Sequence, residues 1–217
     1  MLQIKSFTFN PFAENTYVLY DETGEAVIID PGCYSQEERG ELFDFIKGQK
    51  LHPVKLLNTH CHIDHVLGNA FIKRSYDIPL WFHKDEEPVL RAVPTYSSNY
   101  GFPNYQDSKA DHYLLDGEII KFGNSQLESI LVPGHAPGHL VFYNKQERVC
   151  IGGDTLFQGS IGRTDLPGGD HETLLFAIKD KLFVLPDEVT VYPGHGPSTS
   201  IGFEKINNPF VGKKAIY

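Results

Sequence analysis

A short histidine-rich stretch decides the fold of this chain. Residues 59–68 read Thr-His-Cys-His-Ile-Asp-His-Val-Leu-Gly, and they follow directly on the apolar run Val54-Lys55-Leu56-Leu57. Placing several imidazoles and a carboxylate together at the end of a buried strand costs kilocalories unless something pairs with all of them. A divalent metal ion pairs with all of them, and the stretch therefore predicts a metal site.

The spacing of these residues favours a strand-to-helix corner. His60 and His62 are two apart in an extended segment, so their side chains point the same way and can converge on one ion. Asp64 and His65 then turn to the other side, and Asp64 suits the N-cap of a following helix. Such corners are where α/β folds place chemistry. Imidazole and carboxylate donors without thiolate favour Zn, with Fe or Mn as alternatives, over a cysteine-type structural site.

The composition is that of an ordinary soluble globular chain. Its 217 residues are 41% hydrophobic and 22% charged, and we expect a single domain over residues 1–217. A net charge of −9 without a basic run argues against nucleic acid as partner. Three cysteines without a CxxC pair favour a reducing compartment. With no signal peptide or membrane-length apolar run, we expect a cytoplasmic protein that does not bind membranes.

The apolar patterns predict an α/β fold with two sheets. The predicted strands are 2–9, 16–20, 26–29, 54–57, 79–82, 119–122, 127–132, 139–143, 148–151 and 189–192. The predicted helices are 36–48, one after Asp64, and one from Asp170 to about 183. Two mixed β-sheets, each flanked by helices, give a four-layer αβ/βα sandwich. The site should lie at the sheet edge, where both halves contribute loops.

One long segment, residues 94–111, shows no helical or alternating period. A loop of this length in a compact domain is usually functional or disordered, and its aromatic content argues against disorder. We expect it to form a lid or wall that faces the substrate, with an outer-surface loop or a dimer contact as the alternatives. The residues expected to face the substrate are Tyr96, Tyr100, Phe102 and Tyr105.

Three further predicted strand ends each carry one metal-competent residue beside glycine or proline. They are His135, Asp154 and His195. A lone histidine of this kind is usually a hydrogen-bonded turn residue. Three such residues, all at strand ends, favour ligands instead. The seven candidate ligands are then His60, His62, Asp64, His65, His135, Asp154 and His195, a set that suits two metal ions bridged by one carboxylate and one hydroxide.

The H-x-H-x-D-H run resembles the metallo-β-lactamase superfamily of dinuclear metallohydrolases, and the resemblance extends from Asp30 to His195. It implies two ligand sets and a bridge: His60, His62 and His135 for the first metal, Asp64, His65 and His195 for the second, and Asp154 between them. Asp30 ends the third predicted strand, where family members carry an aspartate. The resemblance favours a role for Asp30 in orienting the ligands over a plain turn. His139 matches a family histidine that is not a ligand.

This donor set predicts a hydrolase. Zinc lowers the pKa of bound water to about 7, so a hydroxide between two cations is a ready nucleophile. Asp64 or Asp154 can accept the proton of that nucleophile. No general acid stands out in the sequence, which favours a leaving group that departs as an anion. A thiolate, with a pKa of about 8.5, leaves better than an amine, and the predicted partner is therefore a small-molecule thioester.

Residues 153–169, which include Gly-Asp-Thr-Leu-Phe and Gly-Arg-Thr-Asp, resemble the glyoxalase II (hydroxyacylglutathione hydrolase) branch and its short single-domain bacterial relatives. Arg163 falls on a position that contacts glutathione in that branch, and an ion pair with Asp165 is the alternative. Two residues differ from that branch. Asp165 stands where the branch has an aromatic residue that contacts glutathione, and Pro197 stands where it has a tyrosine. We also expect no C-terminal helical domain of the kind that supplies further glutathione contacts in that branch. Thioester hydrolysis is compatible with these departures, and specificity for glutathione is left open.

Three other functions are weighed against this hydrolase. A mononuclear-iron persulfide dioxygenase would use His60 or His62 with His135 and Asp154. The hydrolase-type stretch around His195 argues against it. A lactonase or β-lactamase would use the same hydroxide. A non-catalytic metal module is disfavoured because structural sites are closed with four ligands.

Overall fold

Residues 1–213 and 215 are described by a computed structural model, and they fall into two units. The first unit comprises Met1–Leu114 and Lys121–Gln126, and the second comprises Leu115–Ile120 and the chain from Leu127 onward. Among these residues, no helix is both long enough and apolar enough to cross a bilayer. The single domain expected from the sequence stays a prediction.

The first sheet begins as a meander and continues as a parallel sheet. Its strands are β1 Gln3–Phe9, β2 Glu14–Tyr20, β3 Glu25–Ile29, β4 His52–Leu57, β5 Leu80–His83 and β6 His112–Leu114. They follow one another in this order; β1 to β3 pair antiparallel, and β3 to β6 pair parallel. The helices among them are α1 Gln36–Gly48, α2 Ile63–Val66, α3 Asn69–Tyr76 and α4 Glu87–Tyr96. The succession β3-α1-β4 is a βαβ unit, because β3 and β4 are parallel and α1 connects them.

Helix α1 begins where the sequence carries a complete capping box. The Ser35 side chain accepts a hydrogen bond from the Glu38 backbone N–H, and the Glu38 carboxylate accepts from the Ser35 backbone. Leu42 and Ile46, one helical turn apart, are then buried in the core of the first unit. The capping box therefore fixes the start of α1, and Leu42 and Ile46 fix the face that it packs on the core.

The second sheet has the order β14-β13-β10-β9-β8-β7. Its strands are β7 Ile119–Phe122, β8 Ser125–Leu131, β9 Leu140–Asn144, β10 Val149–Gly153, β13 Thr190–Pro193 and β14 Thr199–Ser200, and a separate hairpin pairs β11 Leu156–Phe157 with β12 Ser160–Ile161. Strands β10 and β13 are parallel, whereas β8 with β9 and β9 with β10 are antiparallel. The helices are α5 His171–Ala177, extended by a π-helical turn, Ile178–Leu182, and α6 Ile201–Asn207.

The predicted fold class is confirmed: two mixed sheets are flanked by helices. Each unit buries its own apolar cluster, with Leu42, Leu56 and Phe82 in the first and Leu174, Ile178 and Val191 in the second. Asp170 caps α5 as predicted, because its side chain accepts a hydrogen bond from the Thr173 backbone N–H.

Two local expectations were wrong. His62, not Asp64, occupies the N-cap of α2, because the chain stays extended through His62 and Asp64 already lies in the first helical turn. Residues 94–100 are not irregular, since α4 runs through Pro94 to Tyr96 and a 3-10 turn, Ser97–Tyr100, follows. Burial of Leu90 and Val93 outweighs the cost of a proline within the helix.

Asp21 is buried at the turn between β2 and β3, and its carboxylate connects this turn to the one between β7 and β8. One carboxylate oxygen accepts from the backbone N–H and hydroxyl of Thr23, at 3.0 and 2.6 Å. The other accepts from the Asn124 N–H and the Ser125 hydroxyl, both at 2.8 Å. These hydrogen bonds lower the pKa of Asp21 below 3.8, against an opposing effect of burial. The two turns are thereby joined through one side chain.

We expect Asp21→Ala to lower the free energy of unfolding by about 2–4 kcal/mol, because several buried donors lose their acceptor. A depressed pKa stabilises the fold above the ordinary pKa near 3.8, and this contribution is lost as the pH falls through the folded value. Urea unfolding at pH 7 and pH 3 measures both effects. The control is Glu22→Ala at the neighbouring exposed position. An equal loss of unfolding free energy in both variants would contradict this role of Asp21.

Candidate metal centre

The corner after β4 brings four predicted ligands together in the first unit. The rings of His60 and His62 lie 4.8 Å apart between centroids, and those of His60 and His65 lie 4.2 Å apart. The Asp64 Oδ2 atom lies 3.6 Å from His65 Nε2. His60 and His65 are fully buried. A cluster of buried imidazoles beside a carboxylate is costly without a cation to pair with.

Asp30, which directly follows β3, orients the backbone and the His65 ring of this corner through its carboxylate. Its carboxylate accepts hydrogen bonds from the Thr59 N–H at 2.7 Å and the Thr59 hydroxyl at 2.5 Å. Its Oδ2 atom also lies 3.1 Å from His65 Nδ1. A carboxylate on Nδ1 sets the ring orientation and leaves Nε2 as the ligand atom. Asp30 itself has a left-handed φ of 49°, which turns the chain sharply towards the loop that follows.

Glu14 is a buried residue of this corner that sequence reasoning missed. It is fully buried at the start of β2, and its Oε1 atom lies 3.9 Å from His65 Nδ1. Its Oε2 atom accepts from the Thr16 hydroxyl at 2.9 Å. Burial raises the pKa of the Glu14 carboxyl well above its usual value, and His65 opposes that shift. A Cβ at Gly32 would lie 2.0 Å from Glu14 Oε2, so only glycine fits there.

The polar residues Glu86 and Asn58, which the sequence did not single out, hold the backbone of the corner. The fully buried Glu86 accepts from the Cys61 N–H at 2.8 Å. The Asn58 side-chain amide donates to the His65 carbonyl at 3.2 Å. Nothing in the sequence marks Glu86, which stands in a charged run, whereas Asn58 directly precedes the motif. Cys61, which lies between His60 and His62, is buried in the core of the unit.

We expect Glu14→Ala to weaken metal binding by about tenfold, because outer residues that orient ligands typically contribute 10- to 100-fold in affinity. Glu14→Gln keeps the size and shape of the side chain, so it separates the effect of the negative charge from the effect of packing. Chelator competition on the purified protein gives the affinity, and thermal unfolding of the metal-free protein gives the stability. Thr16→Val removes only the hydroxyl that supports Glu14 and serves as a milder comparison. Unchanged affinity in Glu14→Ala would show that its proximity to His65 has no consequence.

In the second unit, Asp154 lies between two histidines. Its Oδ2 atom is 3.6 Å from His135 Nε2 and 3.5 Å from His195 Nε2. The other ring nitrogen of His135, Nδ1, lies 2.7 Å from the Arg163 carbonyl oxygen, which sets the ring. His139 accepts a hydrogen bond from the Asp154 backbone N–H at 3.0 Å, so it supports the loop of Asp154.

Gly162 explains how the His135 and Asp154 loops approach each other. A Cβ at this position would lie 1.9 Å from the Asp154 carbonyl oxygen and 3.0 Å from His135 Nδ1. Any larger residue would therefore displace the backbone that carries Asp154. The glycine at this position is required by close approach rather than by its backbone angles.

The distances between these ligand atoms fit a shared cation. Donor atoms about 2.0–2.2 Å from a tetrahedral zinc ion are about 3.3–3.6 Å from each other. The Asp64–His65 contact in the first unit measures 3.6 Å, and the two Asp154 contacts measure 3.6 and 3.5 Å. One Asp154 oxygen takes part in both contacts of the second unit. The residues present therefore fit divalent metal ions. That all seven serve one pair of ions stays a prediction.

Arg163 forms an ion pair with Asp165, which is the alternative to the predicted contact with glutathione. Its guanidinium donates two hydrogen bonds of 2.7 Å to the Asp165 carboxylate. These hydrogen bonds lower the pKa of Asp165 to about 2. The Arg163 side chain is 61% exposed, so this is an ion pair at the surface of the unit.

The four aromatic residues predicted to face the substrate divide into two groups. Phe102 is only 2% exposed and packs in the core, with its ring at 4.9 Å from that of Tyr34. Its placement in the core corrects the expectation that it faces the substrate. Tyr105 is partly buried against the same core, and burial raises the pKa of its phenol. Tyr96 is also partly buried, whereas Tyr100 is 53% exposed.

The chain belongs to the metallo-beta-lactamase superfamily, whose family model matches residues 9–195. Its two mixed sheets flanked by helices are those of this class of metallo-hydrolases, and its clusters of imidazoles and carboxylates suit divalent metal ions.

Its relatives are similar over nearly the whole chain. The hydroxyacylglutathione hydrolase GloC of Haemophilus influenzae is 36% identical over 216 residues, which cover 99% of this chain and 100% of the relative. The BLEG-1 B3 metallo-beta-lactamase structure is 38% identical, with a TM-score of 0.87 over 96% of this chain and 99% of the other. TTHA1623, solved in a di-iron-bound form, is 34% identical, with a TM-score of 0.85 over 95% and 99%.

Proposed function

We propose that this chain is a dinuclear metal-dependent hydrolase that cleaves small-molecule thioesters. The observation that carries the proposal is the position of Asp154 Oδ2 at 3.6 and 3.5 Å from two imidazole nitrogens, as a bridging carboxylate requires. The full-length similarity to a hydroxyacylglutathione hydrolase supports a thioester as the substrate. The metal ligands are proposed to be His60, His62, Asp64, His65, His135, Asp154 and His195.

The residues have separate tasks in this reaction. When bound, two divalent ions, proposed to be zinc, would supply Lewis acidity that lowers the pKa of water and polarises a carbonyl. Asp30, through its contact with His65, holds one imidazole in a fixed orientation. Asp64 or Asp154 is proposed to accept the proton of the attacking water at a carboxylate oxygen. The water oxygen forms a bond to the carbonyl carbon, the carbon–sulfur bond breaks, and the thiolate leaves without a general acid because its pKa is about 8.5.

The thiol portion of the substrate is a separate matter from the reaction type. The pairing of Arg163 with Asp165 occupies the cation that would hold a glutathione carboxylate. We therefore propose hydrolysis of thioesters as a class, and S-lactoylglutathione is the first substrate to test. Cys33, Cys61 and Cys150 are free thiols, which supports a reducing cytoplasmic location.

The proposal is tested by metal analysis combined with a thioester panel. We expect two ions per chain and turnover of S-lactoylglutathione or related thioesters, with loss of activity on chelation and recovery on adding Zn²⁺. Substrates with an amide in place of the thioester should react far more slowly, because an amine is the poorer leaving group. One iron per chain with sulfide-dependent oxygen uptake would overturn the proposal.

A β-lactamase is the second candidate, favoured by the 38% identity to BLEG-1. It would use the same residues on a lactam carbonyl. Nitrocefin hydrolysis with kcat/KM above that for every thioester would establish it in place of the thioesterase. The reverse order of kcat/KM would exclude β-lactams as the main substrate.

A further inference from the structure

Three aromatic rings lie together on the surface of the first unit. Phe12 stands on the turn between β1 and β2, and Tyr96 and Tyr100 stand at the end of α4 and in the turn after it. The Phe12 and Tyr100 ring centroids are 6.1 Å apart, and those of Tyr96 and Tyr100 are 5.5 Å apart. Phe12 is 40% exposed and Tyr100 is 53% exposed. Phe102 supports them from the core, with its ring at 6.1 Å from that of Phe12.

Asn10 ties this aromatic cluster to the proposed metal centre. Its side-chain carbonyl accepts a hydrogen bond from the Phe12 N–H at 3.0 Å. Its side-chain amide donates to the Asp64 carbonyl at 3.0 Å and to the Gly32 carbonyl at 3.1 Å. A single side chain therefore spans from the turn that carries Phe12 to a proposed ligand. The backbone of the turn that carries Phe12 is therefore separated from the backbone of Asp64 by the side chain of Asn10.

Tyr96 approaches the same ligand from the other side of the cluster. Helix α2, which contains Asp64, contacts α4, which ends at Tyr96. Tyr96 therefore stands at the end of the helix that packs against the one carrying Asp64.

The turn that carries Phe12 is held in a costly conformation. Asn10 and Ala13 have φ values of 52° and 54°, a left-handed region that non-glycine residues enter at a cost. Strained backbone is concentrated at functional sites, where the surrounding contacts maintain it. Here the contacts of Asn10 maintain it, and the result is an exposed phenylalanine beside the metal corner.

We propose that Phe12, Tyr96 and Tyr100 form a subsite that binds an aryl or extended apolar group of the substrate. The inference rests on the proposed thioester hydrolysis and adds the substrate class to it. Partly exposed rings in edge and tilted contact offer both faces and edges to a flat or apolar group. The group can belong to the acyl or to the thiol portion, and the experiment separates the two sources.

The test compares wild type with Phe12→Ala and Tyr100→Ala on two matched substrate pairs. One pair keeps the thiol constant and changes acetyl to phenylacetyl, and the other keeps acetyl constant and changes ethanethiol to benzyl mercaptan. We expect the aryl-to-acetyl ratio of kcat/KM to fall about five- to tenfold in either variant for the pair that uses the subsite, the range typical of an aromatic contact. Phe43→Ala is the matched control, because Phe43 is 41% exposed in the same unit and stacks on Tyr76 instead.

Two outcomes would overturn the subsite: an unchanged ratio for both pairs, or an equal fall of the ratio in Phe43→Ala. Circular dichroism of each variant shows whether it is folded. If wild type cleaves no thioester at all, the proposed function has failed. The subsite is then judged by titrating Zn²⁺-loaded protein with 4-phenylbutyrate and acetate. If Phe12→Ala binds 4-phenylbutyrate more weakly than wild type does, and binds acetate equally well, the subsite is supported. Equal binding of 4-phenylbutyrate to the two proteins would overturn it.

Discussion

Asp154→Asn is expected to abolish hydrolysis and to lower the metal content of the purified protein at the same time. Its Oδ2 atom is shared between His135 and His195, and an amide oxygen without charge is a much weaker ligand. Outer residues alone contribute about 10- to 100-fold, so loss of a direct bridging ligand should cost about 100-fold or more in activity. Metal analysis and kcat/KM on the same preparation measure both effects.

The control for this experiment is Asp180→Asn, the same substitution at an exposed position of the second unit. It should retain metal and activity, since an exposed carboxylate of this kind contributes little to either. An active Asp154→Asn enzyme with a full metal complement would contradict the bridging role. Inactivity with full metal content would limit Asp154 to proton transfer.

Asp30→Ala is expected to be strongly destabilising to the first unit. It removes the acceptor of the Thr59 N–H and hydroxyl and the partner of His65 Nδ1, all of which are buried. Buried donors left without an acceptor cost about 1–3 kcal/mol each, and we expect a total loss of about 3–5 kcal/mol. Urea unfolding of the metal-free protein measures this loss independently of any metal.

Asp77→Ala separates the backbone contribution from that of the hydrogen bonds. Asp77 is exposed and has a φ of 52°, close to the 49° of Asp30. Its replacement should cost about 1 kcal/mol, because alanine tolerates the left-handed region poorly. If both variants lose the same stability, the hydrogen bonds of Asp30 contribute nothing net. Metal affinity should fall in Asp30→Ala only.

Local sequence was sufficient for many elements of this fold. The helix that follows Ser35, the N-cap at Asp170 and most strands of the two six-stranded sheets depend on contacts within a few residues, and they lie close to where they were predicted. Predictions were wrong where packing opposed a local signal. Pro94 is the clear case, because the burial of Leu90 and Val93 maintains the helix through a residue that normally ends one.

The chemistry of the site was also readable from sequence, because ligand types and their spacing are local. The contacts of His65 Nε2 with Asp64, and of Asp154 with His135 and His195, agree with that reading within each unit. The residues that orient the ligands were not readable in the same way. Glu86 and Glu14 have the sequence context of ordinary surface acids.

The sequence by itself therefore predicted the α/β class, most strands of the two sheets and the donor types of the candidate centre. The tertiary structure alone decided that Glu14 is buried behind His65 and that Phe102 belongs to the core. The physical reason is range. Propensities, caps and motif spacing act over a few residues, whereas burial and pairing depend on segments that only folding brings together.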